Sequence, residues 1–372
     1  MVAAQPSAPR TEIANAVQPQ LTAGTDGRVW LVYGQPTAVA PAQTGSHEDH
    51  NAGHSGGKKG KGGHGPQGRM GDVFVACSKD GGATFAPAVK VAHVMQLMLG
   101  NRRGPRIAAH GDRITVTVVG NELLGYNSRD GGATWSGPIT INDAANSAHE
   151  GLHDLAASRD GELFITWLDL RNGKTELWGA SSKDGLTWGK NQLVYKSPDK
   201  SICECCHPSA LFDAQGNLAV MWRNSIEGSR DMWLTTRLKG AAQFSAPRKL
   251  GKGTWKINGC PHDGGTIVAL GGGKFGAVWQ RAGEVFMSRD GAEVSLGKGK
   301  QPVAIADNKG TLVVWQEGTD IVSLREMGGA KPARRASDGR FPSVAALPDG
   351  KGAVVAFERG AQGSTSVAVE RL

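Results

Sequence analysis

Long apolar runs are missing from this 372-residue chain. No stretch approaches the roughly 18 consecutive apolar residues of a membrane-spanning helix, which excludes that class. Long helices are excluded too, because 54 Gly and 17 Pro punctuate the sequence and both disfavour helix interiors. The glycines have no three-residue period, so the chain is not collagen-like. Aromatic residues make up only 6%, with 3 Tyr and 9 Phe. The net charge is +8, but no aromatics interleave with the basic cluster Lys58, Lys59, Lys61 and Arg69, and the other charges are mostly of mixed sign. That pattern argues against nucleic acid as a partner. The start, MVAAQPSAPR, lacks a basic n-region and an apolar h-region. Its composition fits an exported chain, periplasmic or secreted, whose signal peptide has been removed.

What is present is a repeat. An inner strand, a Gly-containing turn and an apolar strand recur seven times, and six of the copies end in an aromatic. The copies are Pro19–Tyr33, Pro105–Val119, Asp154–Trp167, Pro208–Trp222, Asp263–Trp279, Pro302–Trp315 and Pro342–Phe357. A second motif interleaves with the first. Ser78-Lys79-Asp80-Gly81-Gly82-Ala83-Thr84-Phe85 matches the segment from Ser128 to Trp135, and a shorter copy runs from Ser182 to Trp188. Its glycines suit positive φ, and its Asp and Ser/Thr side chains suit the turn's backbone donors.

These segments resemble the Asp box (BNR repeat) of sialidase-like β-propellers. More narrowly, the chain is similar to uncharacterised bacterial sialidase-family proteins that share its GPRI, CECC and CP-x-DGG segments. The combined repeat reads as a four-stranded blade, so an all-β propeller is expected, with seven blades and six as the alternative. Thr11–Val17 is expected to supply the missing fourth strand of the last blade and close the ring, which removes open edges. The chain 1–372 reads as one propeller domain. Its insertion 43–69, rich in Gly, His and Lys, cannot bury a core and reads as disordered within blade one.

Antiparallel blades place the blade-to-blade connections and the loops between second and third strands on one face. Nine of the ten His fall there by this reading, as do Cys203, Cys205, Cys206 and Cys260. The densest piece is Cys203-Glu204-Cys205-Cys206-His207, and Cys260-Pro261-His262-Asp263 lies one blade on. Three chemistries fit. A disulfide from one clustered cysteine to Cys260 would contribute roughly 3–4 kcal/mol by loop closure. A soft-metal site could use Cys203, Cys205, Cys206, His207, Cys260 and His262, for copper or zinc. Cys203-x-x-Cys206-His207 also fits the attachment pattern of haem c. Copper is the leading expectation, and redox chemistry at that metal is open. The four His of the insertion read as a flexible loop or as a low-affinity metal collector above the site.

The same face gathers Arg103, Arg106, Glu150, His153, Arg223, Arg281 and Asp263, an expected pocket for a small anionic or carbohydrate ligand. The family resemblance implies a glycoside hydrolase, with an arginine triad, an Asp acid/base and a Tyr nucleophile activated by Glu. This chain departs from that pattern. Its Gly104-Pro105-Arg106-Ile107 follows the first Asp box rather than preceding it. Its three Tyr (Tyr33, Tyr126 and Tyr195) leave none in the last 177 residues. No catalytic residue is carried over. A carboxylate pair such as Glu150 and Asp263 keeps another glycosidase open. A third expectation is a non-catalytic interaction propeller with structural disulfides.

Overall fold

The computed structural model describes residues 11–37, 69–289, 291–326, 331–347, 350, 352–361 and 364–372. Among the described residues, 28 strands form seven four-stranded antiparallel sheets. Each sheet is one blade of a β-propeller. The inner strands of blades one to seven are Val17–Ala23, Arg106–His110, His153–Ala157, Ser209–Phe212, Gly265–Gly271, Lys300–Asp307 and Gly339–Ala346. Six blades are continuous in sequence. The seventh takes its outer strand from the start of the chain, where Thr11–Ala14 pairs antiparallel with Ser366–Arg371. That pairing covers an edge and ties the two ends of the ring together. No helix of the described residues is long and apolar enough to cross a membrane. The insertion lies outside the described residues except for Arg69, which begins the strand Arg69–Ser78.

The core lies between neighbouring sheets rather than inside any one of them. The second strands carry Trp30, Trp167, Trp222, Trp279, Trp315 and Phe357, all buried. Trp167 sits among Met98, Ala108, Val119 and Leu155, contributed by blade two, its flanking connection and blade three. Each aromatic thus removes a large apolar area from water at a seam that a flat sheet could not bury alone.

The Ser-x-Asp-Gly turns lie on the opposite face from the blade connections. Ser78 Oγ donates to Asp80 Oδ1 at 2.7 Å and accepts from the Gly82 N–H at 2.7 Å. Thr84 N–H donates to Asp80 Oδ1 at 2.9 Å. The turn at Ser128 repeats these contacts at 2.7, 2.8 and 2.9 Å. Hydrogen bonds from Thr134 hold Asp130 down at about 2. Gly82 has φ +82°, and a Cβ there would lie 2.4 Å from Val354 Cγ2. Its lack of a side chain therefore serves both the turn and the close approach of the seventh blade.

Candidate metal centre

Around the axis, the inner strands of blades one, six and seven open with a shift of register. At each shift a residue with positive φ precedes proline: Gln18 (52°), Gln301 (57°) and Phe341 (50°). Proline has no N–H for the ladder, so it fits a bulge. The bulges of blades one and six bury the polar side chains of Gln18 and Gln301. Arg102, buried at the axis, donates to Gln301 Oε1 at 2.7 Å, to the Gln301 carbonyl at 2.8 Å and to the Pro342 carbonyl at 2.8 Å. Neither Arg102 nor Gln301 is among the site residues expected from the sequence. The recurring Gln-Pro pairs were the available signal.

The thiol cluster sits beside this axis, in the connection between blades three and four. Cys203, Cys205 and Cys206 are 1%, 6% and 1% exposed. Their sulfurs are 3.7 Å (203–205), 3.5 Å (203–206) and 4.0 Å (205–206) apart. All five cysteines are free thiols. The loop is pinned where the Ile202 N–H donates to the Thr175 carbonyl at 3.0 Å and the Cys203 N–H to the Arg223 carbonyl at 3.0 Å.

Cys260 reaches the cluster from the next connection, is exposed, and interacts with Cys205. Arg103 faces Cys205, Cys206 and Cys260, while Arg223 and Arg230 face Cys203. The neighbouring Cys205 and Cys206 sulfurs, with Arg223 and Arg230 in electrostatic reach, lower the pKa of Cys203. The Cys205 thiol is pushed up by its bond to Cys203, and that of Cys206 by burial. Of the three thiols Cys203 is therefore the readiest to ionise, and the guanidiniums of Arg103, Arg223 and Arg230 lie within electrostatic reach of the cluster.

The two imidazoles part company with the sulfurs. His207 is buried towards Arg102 and Arg106, and burial drives its pKa far down. A Cβ on Gly264 would fall 2.6 Å from the Cε1 and Nδ1 of its ring. His262 is exposed, with φ +49°, and lies within electrostatic reach of Cys203. Among the described residues, the metal-ligating atoms drawn within 4.8 Å of one another here are the three sulfurs.

The expected pocket residues are mostly occupied by partners in the fold. Arg106 donates to the carbonyls of Arg102, Gly104 and Pro105 and lies 3.6 Å from Asp154. Arg223 donates to the carbonyls of Asp263 (3.0 Å), Arg230 (2.7 Å) and Gln280 (2.8 Å). The Asp263 carboxylate accepts from the Gln301 N–H at 2.6 Å, and burial raises its pKa to about 6. Arg103 donates to the Glu150 carbonyl at 2.5 Å and lies 3.8 Å from its carboxylate, whose pKa burial raises.

Arg281 stands apart from the cluster. It pairs in bidentate fashion with Glu293 at 2.8 and 2.7 Å and packs over Phe286. His153 is fully buried, with Nε2 3.1 Å from Thr117 Oγ1, and burial lowers its pKa to about 3. His47, His50, His54 and His64 fall outside the described residues.

No protein-family model matches the sequence, and no curated protein does. Solved structures do match in shape. A protein of unknown function from Dyadobacter fermentans aligns with TM-score 0.54 at 14% identity, covering 99% of each chain. An α-L-arabinanase from Penicillium chrysogenum, solved with arabinobiose, aligns with TM-score 0.51 at 12% identity, covering 99% of each chain. A leech intramolecular trans-sialidase aligns with TM-score 0.47 at 12% identity over 96% of this chain and 68% of its own. At these identities the similarity is one of fold alone, that of an all-β propeller.

Proposed function

We propose that this propeller binds one soft metal ion through Cys203, Cys205 and Cys206, and that the ion is copper as Cu(I). The carrying observation is the sulfur spacing of 3.5–4.0 Å. Thiolates about 2.3 Å from a shared tetrahedral ion stand about 3.8 Å apart. A disulfide would need about 2.0 Å.

The charge around the site is compatible with Cu(I). Three thiolates around Cu(I) leave two negative charges, whereas around Zn(II) they leave one. Buried charge needs compensation, and Arg103, Arg223 and Arg230 supply it here. Soft sulfur ligands also select Cu(I). Haem c fits less well, because its attachment motif requires His207 as an iron ligand and that ring is packed against Gly264.

We read the three Ser-x-Asp-Gly turns as Asp boxes on the strength of their shared hydrogen bonds. We also place the protein in the periplasm or outside the cell. In such an oxidising compartment, bound metal would keep these closely spaced thiols from pairing.

A glycoside hydrolase is supported by fold similarity alone. Tyr33 and Tyr126 are packed in apolar clusters, and the Tyr195 hydroxyl accepts from Asn224 at 2.7 Å. The test is anaerobic titration of purified protein with Cu(I) in competition with bicinchoninate, followed by X-ray absorption. One ion per chain with sulfur-only ligation supports the reading, and absence of binding overturns it. Turnover of a fluorogenic sialoside or arabinofuranoside would favour the hydrolase.

A further inference from the structure

The three buried sulfurs account for holding an ion but not for admitting one. An ion reaching them must shed its solution ligands inside protein, because all three are nearly inaccessible. The next connection offers a way in. Cys260 and His262 are both exposed and two residues apart, on a stretch without strand or helix. Cys260 interacts with Cys205, and His262 lies within electrostatic reach of Cys203.

Both ends of this stretch are anchored. The Ile257 N–H donates to the Gly228 carbonyl at 3.4 Å. Gln301 Nε2 donates to the His262 carbonyl at 2.6 Å, and Arg223 Nε to the Asp263 carbonyl at 3.0 Å. The segment 258–261 therefore spans two fixed points and carries Cys260 within reach of Cys205.

We infer that Cys260 and His262 form a relay that passes the ion between the buried sulfurs and a thiolate or thioether donor on a partner, so that the metal is cargo rather than a permanent fixture. This rests on the soft-metal reading above. The step is ligand exchange without change of oxidation state. A bond from the metal to the Cys260 sulfur forms as one to the partner's sulfur breaks. A bond to Cys205 then replaces it; each newly bound thiol releases its proton to solvent, and each displaced thiolate takes one up. No stage requires a bare ion in a buried site, where desolvation would be costly.

The test uses the whole chain loaded anaerobically with Cu(I) and follows transfer to bicinchoninate by stopped flow. The variants are Cys260→Ser, His262→Asn and Cys205→Ser; Asn is chosen because it tolerates the positive φ of residue 262. Cys260→Ser and His262→Asn are expected to keep one ion each, with transfer slowed by about tenfold or more. Cys205→Ser is expected to lose the ion. Unchanged transfer rates in both relay variants would overturn the relay while leaving the metal site standing. Loss of the ion from Cys260→Ser would also overturn it, by making Cys260 a permanent ligand. Failure of the unmodified protein to bind Cu(I) would overturn the underlying reading instead. Alkylation of native protein at Cys260, located by peptide mass, gives the same comparison without a mutation.

Discussion

The Cys203 N–H donates to the carbonyl oxygen of Arg223 at 3.0 Å. The guanidinium of the same arginine reaches the Asp263 carbonyl at 3.0 Å, just beyond Cys260 in the next loop. One buried residue at the end of a second strand thus sets the positions of both thiol-bearing connections. It also presents positive charge to Cys203.

Arg223→Lys should therefore destabilise the fold and loosen the metal site together. Lysine cannot reproduce three hydrogen bonds fanning out from one planar group. Leaving buried carbonyls unpaired should cost about 3 kcal/mol. Denaturant unfolding of the metal-free protein reads that loss. A Cu(I) affinity weakened by about tenfold or more, at a temperature where the variant is folded, reads the second effect. Unchanged affinity would show that the loops keep their geometry without this clamp.

Metal removal should lower the melting temperature. An ion that binds only the folded chain stabilises it by about 4 kcal/mol when free metal is a thousandfold above the dissociation constant. The stabilisation should vanish in Cys205→Ser and persist in Cys77→Ser, because Cys77 lies in blade one, away from the cluster. Differential scanning calorimetry with and without Cu(I) separates the two.

His153 should make stability fall in acid. Its pKa is held at about 3 in the fold, against an ordinary value of 6.5. Between those values the unfolded chain takes up a proton that the folded chain refuses. This contribution is fully present above pH 6.5 and is lost as pH falls towards 3, at up to about 1.4 kcal/mol per pH unit. His153→Gln should show a flatter dependence over that window in urea unfolding at a series of pH values. Parallel curves would mean that His153 is not the titrating group.

Two glycines should respond differently to alanine. Gly82 and Gly27 have similar φ, +82° and +88°, but a Cβ would strike Val354 at the first and meet nothing within 4 Å at the second. Gly27→Ala should cost about 1 kcal/mol from backbone strain alone. Gly82→Ala should cost about 2–4 kcal/mol, since the seventh blade must also shift. Equal losses in thermal unfolding would remove the packing role assigned to Gly82.

Much of the architecture was legible because it repeats. The aromatic that recurs in six of the seven second strands is Trp167 or Trp315, for example, buried in a seam between sheets. The extended segment at Thr11 closes the ring because the last repeat stops one strand short. The site was less legible. Cys205 and Cys206 do share a cluster with Cys203, but His207, next in the chain, turns away towards Arg102 and Arg106. Proximity in sequence says little about direction in a connection without a regular period.

By itself, the sequence determined a ring of blades, its closure, and which connections carry the thiols, since these follow from periodicity and antiparallel topology. Only the tertiary structure decided which donors converge and what the arginines do. Arg281 is drawn off by Glu293, and Arg102, Arg106 and Arg223 are drawn off by backbone carbonyls that need donors once buried. Those demands arise only when the blades close around the axis and water leaves, so no local pattern announces them.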